Sequence, residues 1–255
     1  MVHSTAIIHP KAKIGSGCHI GPYCVIGEHV ALGPDCKLHS HVVLDGHTKL
    51  GKENEIFPFA SIGLKTQDLK WSGGVTRTEI GDGNTFREYV TVHSATGDGE
   101  VTRIGSSNHI LAYCHIAHNC LLGNHIIMSN VATLAGHVTV EDHAVVGGLA
   151  AVHQFCRIGK MAMVGGCSKV VQDVPPFMMA DGNPAETRTI NKTGLERNGV
   201  SEEAQSALRQ AYKILFRERL TVSNAIAKVE KQLSSLDEIR HLIQFVRSSE
   251  RGISK

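Results

Sequence analysis

The sequence predicts an all-β structure of short, turning strands, closed by an α-helical region at its C-terminal end. Three observations predict it: a six-residue hydrophobic period along most of the chain, cysteines in phase with that period, and a change to helical periodicity after a double proline.

The period begins at Ile8 and steps by six through Ile14, Ile20, Ile26, Leu32, Leu38, Leu44, Leu50, Ile56 and Ile62. It resumes at Ile80, Phe86 and Val92, and again from Ile104 to Val170. Of 28 positions between 8 and 170, 25 are apolar; the exceptions are Asp68, Gly74 and Asp98. Two residues before most of these sites stands a small or β-branched residue, as at Cys18, Cys24, Val30, Val42, Ala60, Cys114 and Ala132. Residues two apart on a strand face the same side. Each hexapeptide therefore turns one small and one large side chain inward and then bends, with Gly, Asn and Asp expected at bends that need positive φ. Internal repeats of this kind signal a stacked rather than a globular core.

Six of the seven cysteines (Cys18, Cys24, Cys36, Cys114, Cys120, Cys156) fall at multiples of six. The count is odd and no CxxC pair exists, so they read as small core residues rather than metal ligands or disulfides. The pattern is interrupted twice, near 63–79 and 94–103. Loops leaving a rigid scaffold often carry function.

Pro175 and Pro176 end the strand ladder. Residues 1–184 are thus expected to form the repeat domain and 185–255 a helical domain, with helical periodicity from about Thr187. Ser201 reads as an N-cap with Glu202 and Glu203 in the first turn. Ala204, Ala207, Leu208, Ala211 and Leu215 form one apolar stripe. Val222, Ile226, Val229 and Leu233 form a second. Ser235 with Glu238 reads as a capping box before a third stripe of Leu236, Ile239, Leu242, Ile243 and Val246.

Formal net charge is +2, which leaves no footprint for general nucleic-acid binding. The N-terminal residues Met1-Val2-His3-Ser4-Thr5 lack the features of a signal peptide. No run approaches the ~18 apolar residues of a membrane span. The expectation is a cytoplasmic protein without membrane insertion.

Sixteen histidines are many for this length, and His93, His115, His118, His137 and His153 fall on neighbouring repeats. Eighteen residues back from His137 is Asn119, which brings His118 and His137 onto adjacent coils. Clustered neutral imidazoles suit zinc ligation or general-base activation of a hydroxyl. Acyl transfer to an alcohol needs such a base and donors for the developing oxyanion.

Several segments make the pattern specific. They include Gln67-Asp68-Leu69-Lys70, His115-Ile116-Ala117-His118-Asn119-Cys120, Leu134-Ala135-Gly136-His137, Ala151-Val152-His153-Gln154-Phe155, Val164-Gly165-Gly166-Cys167 and Gln172-Asp173-Val174-Pro175-Pro176. Along nearly the whole chain these resemble the UDP-N-acetylglucosamine acyltransferases of lipid A synthesis. The resemblance implies a left-handed parallel β-helix with 18-residue triangular coils, a homotrimer, acyl carrier protein thioester as donor, UDP-N-acetylglucosamine as acceptor, and no metal or other cofactor. It also implies roles. His118 would be the general base and the Gly136 N–H an oxyanion donor. Gln67, Asp68 and Lys70 would hold the sugar or its phosphate. His93, His115, His137, His153 and Gln154 would line the substrate groove. Asn191 and Arg197 would contact the nucleotide, and Gly166 would set acyl length. A side chain blocking one coil, about 4.8 Å of rise, changes the accepted length by several carbons, and Gly166 implies a donor of about 12–14 carbons.

The chain departs from the family pattern at three positions. Many relatives carry Asp where Asn119 stands and a second Arg where Asn198 stands, and some carry Glu in place of Thr193. Three other readings compete. A related N-acyltransferase would carry an added N-terminal domain, for which a repeat beginning at Ile8 leaves no room. A β-helical carbonic anhydrase would bind zinc through three histidines. A non-catalytic scaffold would not need the histidine cluster beside two excursions.

Overall fold

The computed structural model describes every residue except Ser234. The repeat folds as a three-sided parallel β-helix. Short strands stack into a 9-stranded, an 8-stranded and a 10-stranded sheet, each strand of the repeat pairing with the one three places on, and two further strands extend the 10-stranded sheet at its C-terminal end. Val25 lies beside Ile7, eighteen residues back, so three hexapeptides make one coil. The large residue of each hexapeptide fills the prism together with the small one two places before it. Ile26, Leu44, Ile62, Val92, Ile116 and Leu134 are all fully or almost fully buried. The six in-phase cysteines are buried and unpaired, whereas Cys167 is exposed. Burial pushes the Cys120 thiol up to about 12.

The two interruptions return to register. Arg77 pairs with His47, thirty residues back, and Val101 pairs with Arg77, twenty-four back. The excesses over eighteen are twelve and six, or three hexapeptides. Asp68, Gly74 and Asp98 are the three sites lost to them, which explains why the six-residue count resumes in phase.

The bends differ from expectation. Positive φ recurs at one hexapeptide position, but side chains such as Tyr89, Tyr113, His137, Leu149 and Phe155 occupy it more often than Gly, with φ between 60° and 64°. Most glycines that follow the large residue serve close approach instead. A Cβ on Gly33 would lie 2.4 Å from the Gly51 carbonyl oxygen of the next coil. The small inward position also carries an unexpected buried ladder. Asn84 Nδ2 donates to Asn54 Oδ1 at 3.0 Å, and Asn108 Nδ2 to Asn84 Oδ1 at 2.9 Å. Each amide is satisfied by the next, as burial of polar groups requires.

The helical part begins later than the sequence suggests. Residues Ala185–Ile190 form a strand that pairs antiparallel with Met178–Gly182 on the last coil. Four helices follow: α1 (Lys192–Arg197), α2 (Glu202–Phe216), α3 (Val222–Leu233) and α4 (Asp237–Arg247). The Ser201 side chain caps α2 by accepting the Ala204 N–H, as expected. The expected capping box at Ser235 does not form. Leu236 takes the N-cap position of α4 without a side-chain bond. Val222, placed on an apolar stripe by the sequence, is 36% exposed at the first position of α3.

The helices share a second core with Met161, Phe177 and Met178 at the coil end. The Gln172-Asp173-Val174-Pro175-Pro176 segment locks this junction. Buried Asp173 pairs with Arg157 at 3.0 Å and accepts the Ser249 hydroxyl, while Arg157 Nη2 donates to the Phe245 carbonyl.

Candidate active site

Both excursions leave the prism at the same edge, where the 9-stranded sheet bends into the 8-stranded one. His118, Gly136, His137 and Gln154 occupy bends of that edge on successive coils. The excursions are tied together by Thr66 Oγ1 and Thr96 Oγ1 at 2.9 Å, and the first is packed by Lys65 over the Trp71 ring at 3.8 Å. Asp68 Oδ1 accepts the Lys70 N–H at 2.9 Å, holding both residues over the edge.

His118 stands where two clefts meet. One, of about 240 Å³, is lined by Asp68, Lys70, Thr96, Gly97, Glu100, His118, His137, Gln154 and Phe155. The other, of about 550 Å³, is lined by Gln67, Asp68, Leu69, Lys70, Ala117, His118, Ala135, Gly136 and Gln154. His118 Nε2 lies 3.8 Å from Asp68 Oδ2, and Nδ1 lies 2.9 Å from Asn119 Oδ1. Its ring meets His137 edge-on, centroids 5.2 Å apart, and His137 stacks on Phe155 at 4.7 Å. Gly136 makes the arrangement possible, because a Cβ there would lie 2.4 Å from His118 Cε1.

The other sequence candidates divide. Gln67, Asp68, Lys70, His137 and Gln154 converge with His118. His93 and His115 sit on strands beside the edge and line neither cleft. The His115 Nδ1 is 2.8 Å from Thr91 Oγ1, and the His93 and His115 rings are 5.3 Å apart. Burial, and then the neighbouring His115 and His118, push the His93 imidazole down to about 4. Burial also lowers His115 and His137. His153 is exposed, its Nδ1 3.1 Å from the Gln154 carbonyl oxygen. Asn191 and Arg197 are not brought to His118 within one chain. Asn191 is 6% exposed, and both ends of its amide are engaged: Nδ2 donates to the Met161 carbonyl and Oδ1 accepts the Gly194 N–H. It caps α1. Gly166 lies on a different edge, between the 10-stranded and 9-stranded sheets. It has no positive φ, and a Cβ there would meet only the Gly148 oxygen, at 3.3 Å.

Glu100, Thr96 and Thr102 reach this site without having been singled out in the sequence. Asn119 Nδ2 donates to Glu100 Oε2 at 2.7 Å, the Thr96 N–H donates to Asn119 Oδ1 at 3.1 Å, and the Asn119 N–H to Thr102 Oγ1 at 2.8 Å. A signal existed: Glu100 stands eighteen residues, one coil, before His118. A further cavity, of about 600 Å³, lies between the 8-stranded sheet and α4. It holds the Glu141–His241 pair at 2.7 Å, and it lies away from the edge that gathers His118 and His137. Among the described residues no group of three or more His, Cys, Asp or Glu side chains is arranged to hold a metal ion.

Comparison with known proteins decides the family. A relative from Thermodesulfovibrio yellowstonii, an acyl-[acyl-carrier-protein]--UDP-N-acetylglucosamine O-acyltransferase, is 52% identical over 256 residues, covering 100% of this chain and 99% of its own. The chain belongs to the UDP-N-acetylglucosamine O-acyltransferase family. A relative of the same description from Myxococcus xanthus is 47% identical over 255 residues, covering 100% of this chain and 99% of its own. The family model described as UDP-N-acetylglucosamine O-acyltransferase domain 2 matches residues 173–254, and that of bacterial transferase hexapeptide repeats matches 11–46. The LpxA structure from Acinetobacter baumannii superposes with a TM-score of 0.96 at 46% identity, covering 100% of this chain and 99% of that one. The β-helix is therefore left-handed, which periodicity alone leaves open. The carbonic anhydrase reading finds no support among these relatives.

Proposed function

We propose that this protein transfers an (R)-3-hydroxyacyl group from acyl carrier protein to the 3-hydroxyl of UDP-N-acetylglucosamine, the first step of lipid A biosynthesis. The observation that carries the reading is His118, held by Asn119 at Nδ1 with Nε2 turned toward Asp68 between two adjoining clefts. Sugar hydroxyls are too weakly acidic to ionise at neutral pH, so the attacking oxygen needs a base in contact with it. His118 Nε2 takes the hydroxyl proton as the oxygen bonds to the thioester carbonyl carbon. The Gly136 N–H stabilises the oxyanion. Collapse breaks the carbon–sulfur bond, and His118 returns the proton to the departing thiolate. Asp68, Lys70 and Gln67 hold the acceptor, with His137, His153 and Gln154 along the groove and His93 and His115 behind it. The sequence of steps calls for no metal or cofactor.

The working form is a homotrimer. His118 and Gly166 lie on opposite edges of the 9-stranded sheet, so a groove that joins base to acyl end draws on two chains. The Gly166 edge also carries exposed Tyr23 (58%), Phe59 (46%), Tyr113 (57%) and Leu149 (61%), an apolar strip suited to a neighbouring copy. Arg197 reaches the nucleotide of a neighbour's site, with Asn191 fixing the helix that presents it. No helix among the described residues is long and apolar enough to cross a membrane. The protein works in the cytoplasm, where carrier-bound acyl chains are held.

The test is incubation of the protein with carrier-protein thioesters of graded length and UDP-N-acetylglucosamine, read by mass spectrometry. The expected product is a 3-O-acylated nucleotide sugar, made by a species sedimenting as a trimer. No product with any 3-hydroxyacyl donor, or an active monomer, overturns the reading.

A further inference from the structure

Asn119 is gripped from several directions. Its Oδ1 lies 2.9 Å from His118 Nδ1 and accepts the Thr96 N–H at 3.1 Å. Its Nδ2 donates to Glu100 Oε2 at 2.7 Å. The same Glu100 oxygen accepts the Gly97 N–H at 2.8 Å. The Asn119 amide, and then the Gly97 N–H, hold the Glu100 carboxyl below its ordinary range, so it is ionised at neutral pH.

These contacts remove the ambiguity usual for an asparagine amide. An ionised carboxylate only accepts hydrogen bonds, so Glu100 requires the NH₂ end of Asn119. The Thr96 N–H only donates, so it requires the oxygen end. With that oxygen facing it, His118 Nδ1 must carry the ring proton. The lone pair is then at Nε2, the atom facing Asp68 and the clefts. When the ring takes up a second proton, the nearest carboxylate behind it is Glu100, one amide away.

We propose that Glu100 is a positioning residue for His118, acting through Asn119: it fixes the tautomer and orientation of the imidazole and supplies the negative charge that the side chain at 119 lacks. The inference rests on His118 being the general base. It also assigns the second excursion a task, since Thr96, Gly97 and Glu100 all come from it.

Four variants test this: Glu100→Ala, Glu100→Gln, Asn119→Asp/Glu100→Gln and His118→Ala. Each is assayed for kcat, for KM with UDP-N-acetylglucosamine, and for unfolding temperature. Losing one charge-assisted hydrogen bond is expected to lower kcat about tenfold in both single Glu100 variants, with KM and unfolding temperature nearly unchanged. The double variant moves the carboxylate to position 119, where it accepts from His118 directly, and is expected to recover kcat to within about threefold of the parent. If His118→Ala is inactive while both Glu100 variants keep full kcat, the Glu100 assignment is wrong and the base assignment stands. A kcat loss that tracks a lowered unfolding temperature and is not recovered in the double variant also overturns it. Near-normal turnover in His118→Ala removes the base, and this inference with it.

Discussion

Two edges of the prism use the same slot of the hexapeptide for different ends. On the edge after the 9-stranded sheet, the left-handed position holds Asn119, His137 and Phe155, with φ of 60°, 60° and 64°. On the edge before that sheet, it holds Tyr89, Tyr113 and Leu149, with φ of 60°, 63° and 60°. The backbone is the same. The difference lies in what covers it: two excursions fold over the first edge and bury polar groups against one another, while the second edge is bare and its rings stack in a column. The Phe59, Tyr89 and Tyr113 rings follow at centroid spacings of 5.0 and 4.8 Å. A regular solenoid thus gathers polar and titratable groups where its repeat is broken, and keeps an exposed strip of rings where it is not.

The comparison is broken most severely at His118. His118→Ala is expected to lower kcat by about 10²–10⁴-fold, the usual share of a general base, without lowering the unfolding temperature. Steady-state kinetics beside calorimetry measures both, and turnover close to the parent's would make the covered edge no more catalytic than the bare one.

The next effect links the two edges. Gly166→Met adds a side chain that meets little of its own chain. A four-carbon mismatch at about 0.8 kcal/mol per methylene is about 3 kcal/mol, or roughly a hundredfold in donor selectivity. Competition between ten- and fourteen-carbon donors should show the preference moving to the shorter one. An unchanged ratio would detach Gly166 from the groove.

A smaller effect concerns the buried histidines. Burial pushes His93 down to about 4, below its ordinary 6.5, so the unfolded chain binds the proton more readily. Stability is then complete above the unfolded value and declines as pH falls from about 6.5 toward 4. His93→Gln should remove that part of the decline, about 2 kcal/mol at pH 5 by linkage. Parallel denaturation curves for parent and variant between pH 7 and pH 5 would show that His93 takes no part in it.

The smallest change belongs to the bare edge. Tyr89→Ala interrupts the ring column and should cost about 0.5–1.5 kcal/mol, the worth of an aromatic pair beyond its area. Sedimentation over a dilution series would show trimer dissociation moving to higher protein concentration. An unmoved equilibrium would mean that copies meet elsewhere.

Much of this was legible in the sequence. The six-residue count gives the prism core because every large inward residue recurs in register, and the in-phase cysteines mark its small positions. The count from His137 back to Asn119 places the two histidines on adjacent coils. The same eighteen-residue step from His118 reaches Glu100, yet an acidic residue inside an interruption has no repeat to give it meaning. Asn191 carries a second task the motif does not announce, since its side chain caps the first helix by accepting the Gly194 N–H. The strand Ala185–Ile190 escaped because its pairing with Met178–Gly182 is antiparallel and outside the six-residue rhythm.

The exposed start of the prism bears on how the molecule comes apart. In such a stack each coil holds mainly its two neighbours, so opening proceeds as in a one-dimensional array, from an end inward. The ends are unequal. The inward Ile8 and Ile14 are only partly covered, whereas the last coil is sealed by Asp173, Arg157 and a second core. Fraying is therefore one-sided, and amide exchange should slow progressively from the first coil toward His118. The edge that gathers His118 and His137 sits several coils from the loose end, insulated by the intervening turns, so thermal breathing at the N-terminus leaves that arrangement undisturbed.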